Sequence, residues 1–110
     1  MLKLTVQEGY KKRRQVKLEP GKYKIGRSTK NQIQLQDNLS SRYHALISVD
    51  REAIYLEDLD SRNGTFRNGE PVSHKEEISV GDRIQIGTSV LVLSEEPEPV
   101  EDELNATPVT

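Results

Sequence analysis

Apolar residues recur at every second position along this chain, in short runs. Leu2, Leu4 and Val6 alternate with Lys3 and Thr5, Val16 and Leu18 straddle Lys17, and Ile33 and Leu35 straddle Gln34. Ala45, Ile47 and Val49 share one face, Ile54 and Leu56 another, and Ile84 and Ile86 alternate with Arg83 and Gln85. Successive side chains of a strand point to opposite faces, so each run predicts a strand with one buried face. The segment "SVLVLSE" (89–95) reads as a buried last strand. Turn signals separate the runs: "EPGKY", "STKNQ", "SVDREA", "SRNGT", "RNGEP", "VGDR" and "IGTS". No helical period persists over about ten residues. Many short strands with close-set turns predict an all-β sandwich or barrel.

Composition narrows this further. A chain of 110 residues is sized for one domain. Hydrophobic residues make up only 33%, so the core is thin and built from Leu, Ile and Val. With no cysteine, disulfides and thiolate metal sites are excluded. The only histidines are His44 and His74, too few for a structural zinc site, and no cofactor is expected. The chain opens on "MLKLTV", and no apolar run approaches about 18 residues, so the expected compartment is cytoplasmic.

Charge divides the chain. Residues 1–94 hold all sixteen Lys and Arg against twelve acids, and residues 95–110 hold six acids and no base. The expectation is a mildly basic domain over 1–94 and an acidic, Pro-containing, disordered tail over 95–110. The body is not basic enough to predict non-specific nucleic-acid binding. The cluster Lys11, Lys12, Arg13 and Arg14 has only Tyr10 as a stacking aromatic, and reads as a solvated hairpin loop.

Three stretches carry candidate chemistry. In "YKIGRSTKN" (23–31), Gly26–Arg27 ends a strand. Arg27 is either an ordinary solvated arginine or a fork held to meet an anion, since guanidinium bonds two phosphate oxygens at once. In "SSRYHALI" (40–47), a nucleophile–base pair is the weaker reading. On a strand Ser41 and His44 would face opposite ways, Asp37 is the only acid nearby, and no nucleophile elbow is present. A phosphate notch fits better, with a serine hydroxyl and backbone amides as donors and His44 bracing a neighbouring loop. In "DLDSRNGTFRNG" (58–69), two Asn-Gly pairs favour tight turns with positive φ. Asn68–Gly69 reads as a plain hairpin turn; Asn63 either caps its own loop or holds an extended ligand.

In their order and spacing, "GRSTKNQIQLQDNLSSRYHALI", "LEDLDSRNGTFRNGEPV" and "VGDRIQIG" resemble the forkhead-associated (FHA) domain family, from about Tyr23 to Val92. The resemblance implies a sandwich of two twisted antiparallel sheets with about eleven strands. It also implies a phosphothreonine-peptide-binding module, not an enzyme, downstream of Ser/Thr kinases. By position, Arg27 contacts the phosphate or adjoining peptide, Ser41 donates its hydroxyl, and Arg42 adds its amide or side chain. Arg62 touches phosphate or peptide, and Asn63 holds the peptide backbone. Gly26, His44, Gly64, Thr65 and Asn68 support the site. Partner choice falls to the loops around Ser28–Gln32 and Ser61–Arg62. The implied partner is a Thr-phosphorylated protein, with no nucleic acid and no membrane. Thr107 in the tail, if phosphorylated, is a candidate to dock into this site in its own or a neighbouring chain. The departure is Ser40, where the family carries an aliphatic residue; it alters the packing behind the phosphate loop and allows Ser40 to be a second, weaker donor. A phosphate-independent interaction or oligomerisation module of the same fold is the alternative.

Overall fold

The computed structural model describes residues 1–97. Eleven strands run in chain order: β1 (Leu2–Glu8), β2 (Arg14–Leu18), β3 (Gly21–Gly26), β4 (Ile33–Gln34), β5 (Ala45–Val49) and β6 (Ile54–Asp58) come first. They are followed by β7 (Thr65–Arg67), β8 (Glu70–Pro71), β9 (Glu76–Ile78), β10 (Arg83–Ile86) and β11 (Ser89–Glu95). One sheet has the order β2-β1-β11-β10-β7-β8 and the other β4-β3-β5-β6-β9. The described residues include no helix, hence none long and apolar enough to cross a membrane.

The alternation in the sequence becomes the core. Leu4 and Val6 of β1, Ile84 and Ile86 of β10, and Leu91 and Leu93 of β11 point inward from the first sheet. Ile25, Ala45, Ile47 and Leu56 meet them from the second. Burying each of these Leu, Ile and Val side chains contributes about 1.5–3 kcal/mol. The intervening polar residues, such as Lys3 and Gln85, face out. β11 runs to Glu95, and the Glu96 amide donates to the Met1 carbonyl at 3.0 Å. The first two acids of the 95–110 segment therefore lie along the edge of the body, while 98–110, with Thr107, fall outside the described residues.

One pairing departs from the antiparallel pattern. β3 and β4 run parallel, with Ile25 opposite Ile33 and Gly26 opposite Gln34. Loop 27–32 doubles back to allow it. The Asn31 amide donates to the Ser28 carbonyl at 3.1 Å, and the Gln32 side chain accepts the Lys24 amide at 2.8 Å. Elsewhere the turn chemistry follows the sequence. Asn68 (φ 50°) and Gly69 (φ 87°) form the two-residue turn between β7 and β8.

The register is testable from adjacent residues of β10. Ile84→Ala should cost about 2–5 kcal/mol in urea unfolding, as a buried large-to-small change. Gln85→Ala, facing water one position on, should stay within about 0.5 kcal/mol.

Candidate functional site

Three loops meet at one end of the sandwich: 27–32 after β3, 35–44 before β5, and 59–64 after β6. The first two are joined through bare backbone. A Cβ on Gly26 would lie 2.2 Å from the Arg42 carbonyl oxygen, so no side chain fits there. Across this contact Arg27 N–H donates to the Ser41 carbonyl (3.0 Å) and Ser28 N–H to the Arg42 carbonyl (3.1 Å). The Asn31 side-chain amide adds bonds to the Ser28 carbonyl (2.9 Å) and the Arg42 carbonyl (2.7 Å).

His44 joins the second loop to the third. Its ring is fully buried. The Ser41 amide donates to Nδ1 at 2.9 Å, which makes Nδ1 an acceptor and puts the ring proton on Nε2. Nε2 then donates to the Gly64 carbonyl at 2.8 Å. Residues 41–44 are a turn and β5 begins at Ala45, so the strand geometry expected for Ser41 and His44 does not hold. The ring reaches the backbone of Ser41, not its hydroxyl, and both nitrogens are committed to structure. Asp37 points elsewhere: it accepts from Leu39 N–H, from the Thr88 amide and hydroxyl, and from the Ser89 hydroxyl. Burial raises its pKa, but these hydrogen bonds outweigh it and hold the carboxyl below its ordinary value. The acid nearest in sequence thus anchors the loop to the β10–β11 turn.

The groups left facing water are cationic and polar. Ser41 Oγ accepts the Arg62 amide at 3.0 Å, which fixes the oxygen and leaves the hydroxyl hydrogen free to donate. Arg27 Nε donates to the Ser40 carbonyl at 3.0 Å, anchoring one edge of the guanidinium and presenting its other N–H groups. Arg27, Arg42 and Arg62 are exposed, and none pairs with a carboxylate among the described residues. Asn63 stands beside them, its amide donating to the Leu39 carbonyl at 2.8 Å and so tying the second and third loops together. The structure thus gathers Arg27, Ser41, Arg42, Arg62 and Asn63 on one rim.

Ser40 does not join them. Only 2% of it is exposed, and its hydroxyl donates to the Ser41 carbonyl at 3.1 Å. The expected second donor instead fills the aliphatic slot, with its polar atom satisfied locally. Asn68 also lies apart: it bonds Asp82 and the Arg83 amide in the β7–β8 hairpin, and supports that hairpin rather than the rim.

Asp58 and Ser61, neither of them among the expected site or support residues, brace the third loop. Asp58 accepts from the Ser61 amide (3.0 Å), the Ser61 hydroxyl and the Thr65 hydroxyl (both 2.6 Å). Ser61 Oγ in turn accepts the Gly64 amide at 3.0 Å. An Asp at a strand end suits such a turn, because its short side chain reaches nearby backbone amides. Burial raises the Asp58 pKa, while the Ser61 and Thr65 bonds more than offset it, leaving the carboxyl lowered. Asn63–Gly64 uses positive φ only at Gly64 (88°); the other left-handed residue of this loop is Asp60 (59°).

The FHA domain family profile matches residues 23–87. FhaB of Mycobacterium tuberculosis, an FHA domain-containing protein, is 30% identical over 90 residues, covering 82% of this chain and 58% of FhaB. The chain spans less than two thirds of the curated relatives that it matches. A solved FhaA FHA domain, complexed with the intracellular domain of Rv3910, superposes with a TM-score of 0.76 at 33% identity. It covers 84% of this chain and 99% of the FhaA chain. A second structure, from work on phosphothreonine-dependent FHA domain interactions, gives 0.76 at 33% identity over 88% of this chain and 98% of that one.

Two substitutions test the scaffold. His44→Phe keeps the ring volume but leaves Ser41 N–H and Gly64 C=O unpaired, and should cost roughly 2–5 kcal/mol in denaturant unfolding. Asp58→Asn should destabilise at pH 7. Because the folded pKa is lowered, the wild-type advantage is present above the unfolded value near ~3.9 and is lost as pH falls through the folded value. The gap between wild type and Asp58→Asn should therefore close in acid unfolding curves.

Proposed function

The chain belongs to the FHA domain family, and from that premise we propose that it is a phosphothreonine-peptide-binding module of Ser/Thr kinase signalling. The observation that carries this reading is the rim itself: Arg27, Arg42 and Arg62, exposed and without carboxylate partners among the described residues, lie on the loops that carry a serine hydroxyl whose hydrogen is free. A phosphothreonine brings nearly two negative charges and three acceptor oxygens, which match that donor set. Arg27 and Ser41 meet the phosphate directly. Arg42 and Arg62 add charge from either side, and Arg62 also positions Ser41 through its amide. Asn63 holds the extended peptide backbone with the part of its amide not bonded to Leu39. The relatives support the same role, through the phosphothreonine-dependent interactions studied for one and the protein partner bound to another. A cytoplasmic setting suits this role, since protein kinases act where ATP is available.

The cations repel one another when empty, and a dianion relieves that repulsion. Each charge-assisted hydrogen bond is worth on the order of 1.5–3 kcal/mol. Arg27→Ala and Ser41→Ala should therefore each weaken binding to the phosphothreonine peptides of a fluorescent library by about tenfold or more, with unfolding curves near wild type. Arg27→Lys keeps the charge but loses the fork, and should fall between wild type and alanine. Equal binding of unphosphorylated peptide, or normal binding by both alanine variants, would contradict the assignment.

A further inference from the structure

A shallow groove of about 380 Å³ crosses the outer face of the first sheet. Thr5 and Gln7 of β1 lie opposite Val92 and Val90 of β11 in its floor, and Arg13 and Arg83 stand at its two sides. Both valines are only partly buried, and both arginines are exposed. Arg83 makes no side-chain hydrogen bond or ion pair among the described residues, and Arg13 makes only a long bond to the neutral Gln7 side chain (3.5 Å). Outward positions alternate with buried ones along β1, β2, β10 and β11, and none of those outward positions holds an acid. Lys3 and Lys17, opposite each other in β1 and β2, extend the basic face toward the end where β11 finishes. The face therefore offers a small apolar floor between cations alone.

The acidic end of the chain begins on this same face. β11 finishes at Glu95, and the carboxylate of Glu96 pairs with Lys3. Residues 98–104 then read "EPVEDEL", with four acids, no base, and Val100 and Leu104 as apolar residues. Their charge is opposite to that of the groove. Along β11, Val92 lies about 14 Å from Glu96 and Val90 about 20 Å. The eight residues from Glu96 to Leu104 reach up to about 28 Å, enough to cover both. We propose that this groove is the docking site for segment 98–104 of the same chain. Its carboxylates meet Arg13 and Arg83, and its apolar side chains meet Val90 and Val92. Single exposed ion pairs contribute little, but a segment tethered through Glu96 meets the face at a high effective concentration. A second copy laid face to face would set cation against cation, which disfavours that occupant. Docked here, the acids are held away from Arg27, Arg42 and Arg62, whose charge stays available. The site is separate from the rim and does not depend on the phosphothreonine reading.

The test uses the full chain, which has no cysteine, so that Asn105→Cys provides a single attachment point for a nitroxide spin label. In low salt the amide NMR signals of Thr5, Gln7, Val90 and Val92 should lose most of their intensity relative to the reduced label, while those of the rim keep theirs. Salt near ~1 M, where the screening length falls to about 3 Å, should restore the lost signals. So should the double variant Arg13→Glu/Arg83→Glu, both sites being exposed and outside the rim. The proposal is overturned by no loss on this face, by loss centred on the rim or the β1–β2 loop, or by loss that neither salt nor the folded double variant reduces. Equal loss in a mixture of spin-labelled chain with isotope-labelled, spin-free chain would also overturn it, because the tail would then come from a second copy. If the loss is absent and the chain instead sediments with phosphatidylserine vesicles, an effect that the double variant abolishes, the face serves a lipid surface and the proposal fails.

Discussion

The site depends on a place where a side chain is forbidden. Residues 41–42 cross β3 at Gly26 so closely that a Cβ would sit 2.2 Å from a carbonyl oxygen. The loop is therefore carried on the backbone of a core strand, with Ile25 buried directly before it. Hydrogen bonds from Arg27 and Ser28 lock that contact, and they place the Arg27 side chain beside the loop that carries Ser41. Any residue larger than glycine would push the two apart. His44 applies the same logic on the other side, where one buried ring in one tautomer fixes the spacing between Ser41 and Gly64.

Carboxylates then do the anchoring and guanidinium groups the presenting. Asp37 and Asp58 each gather several N–H and O–H donors beneath a loop, and Asp82 does the same for the β7–β8 hairpin. Their pKa values are lowered because burial, which raises them, is outweighed by hydrogen bonds. With these acids turned inward, no carboxylate among the described residues pairs with Arg27, Arg42 or Arg62. A surface that is mildly basic by count becomes strongly basic at one rim. Affinity for a dianion comes from this separation of roles rather than from net charge.

The strands were legible because burial on one face imposes a period of two, and β1, β5, β10 and β11 keep it. The Asn68–Gly69 turn was legible because Asn-Gly suits the type I′ two-residue hairpin, which requires positive φ at both positions. The loops were less so. Residues 41–44 lie in a bend before β5, where no fixed alternation relates His44 to Ser41. The Ser40 hydroxyl can be buried because the next carbonyl accepts its proton, a local pairing that composition does not display. Asn63 and Asn68 look alike in sequence, but one bonds across to Leu39 and the other within its own hairpin. That difference is set by which loop lies opposite, and so only by the assembled sandwich.

Recognition of phosphothreonine in an extended peptide is the role proposed for this rim. The most direct measurement is backbone amide NMR of the domain, titrated with a peptide bearing phosphothreonine, phosphoserine or threonine at the same position. Shifts should be confined to residues 26–32, 39–44 and 60–64, strongest at Ser41 and Arg62, present with phosphothreonine and absent with threonine. Equal shifts with the unphosphorylated peptide, or shifts centred on the outer face of either sheet, would contradict it.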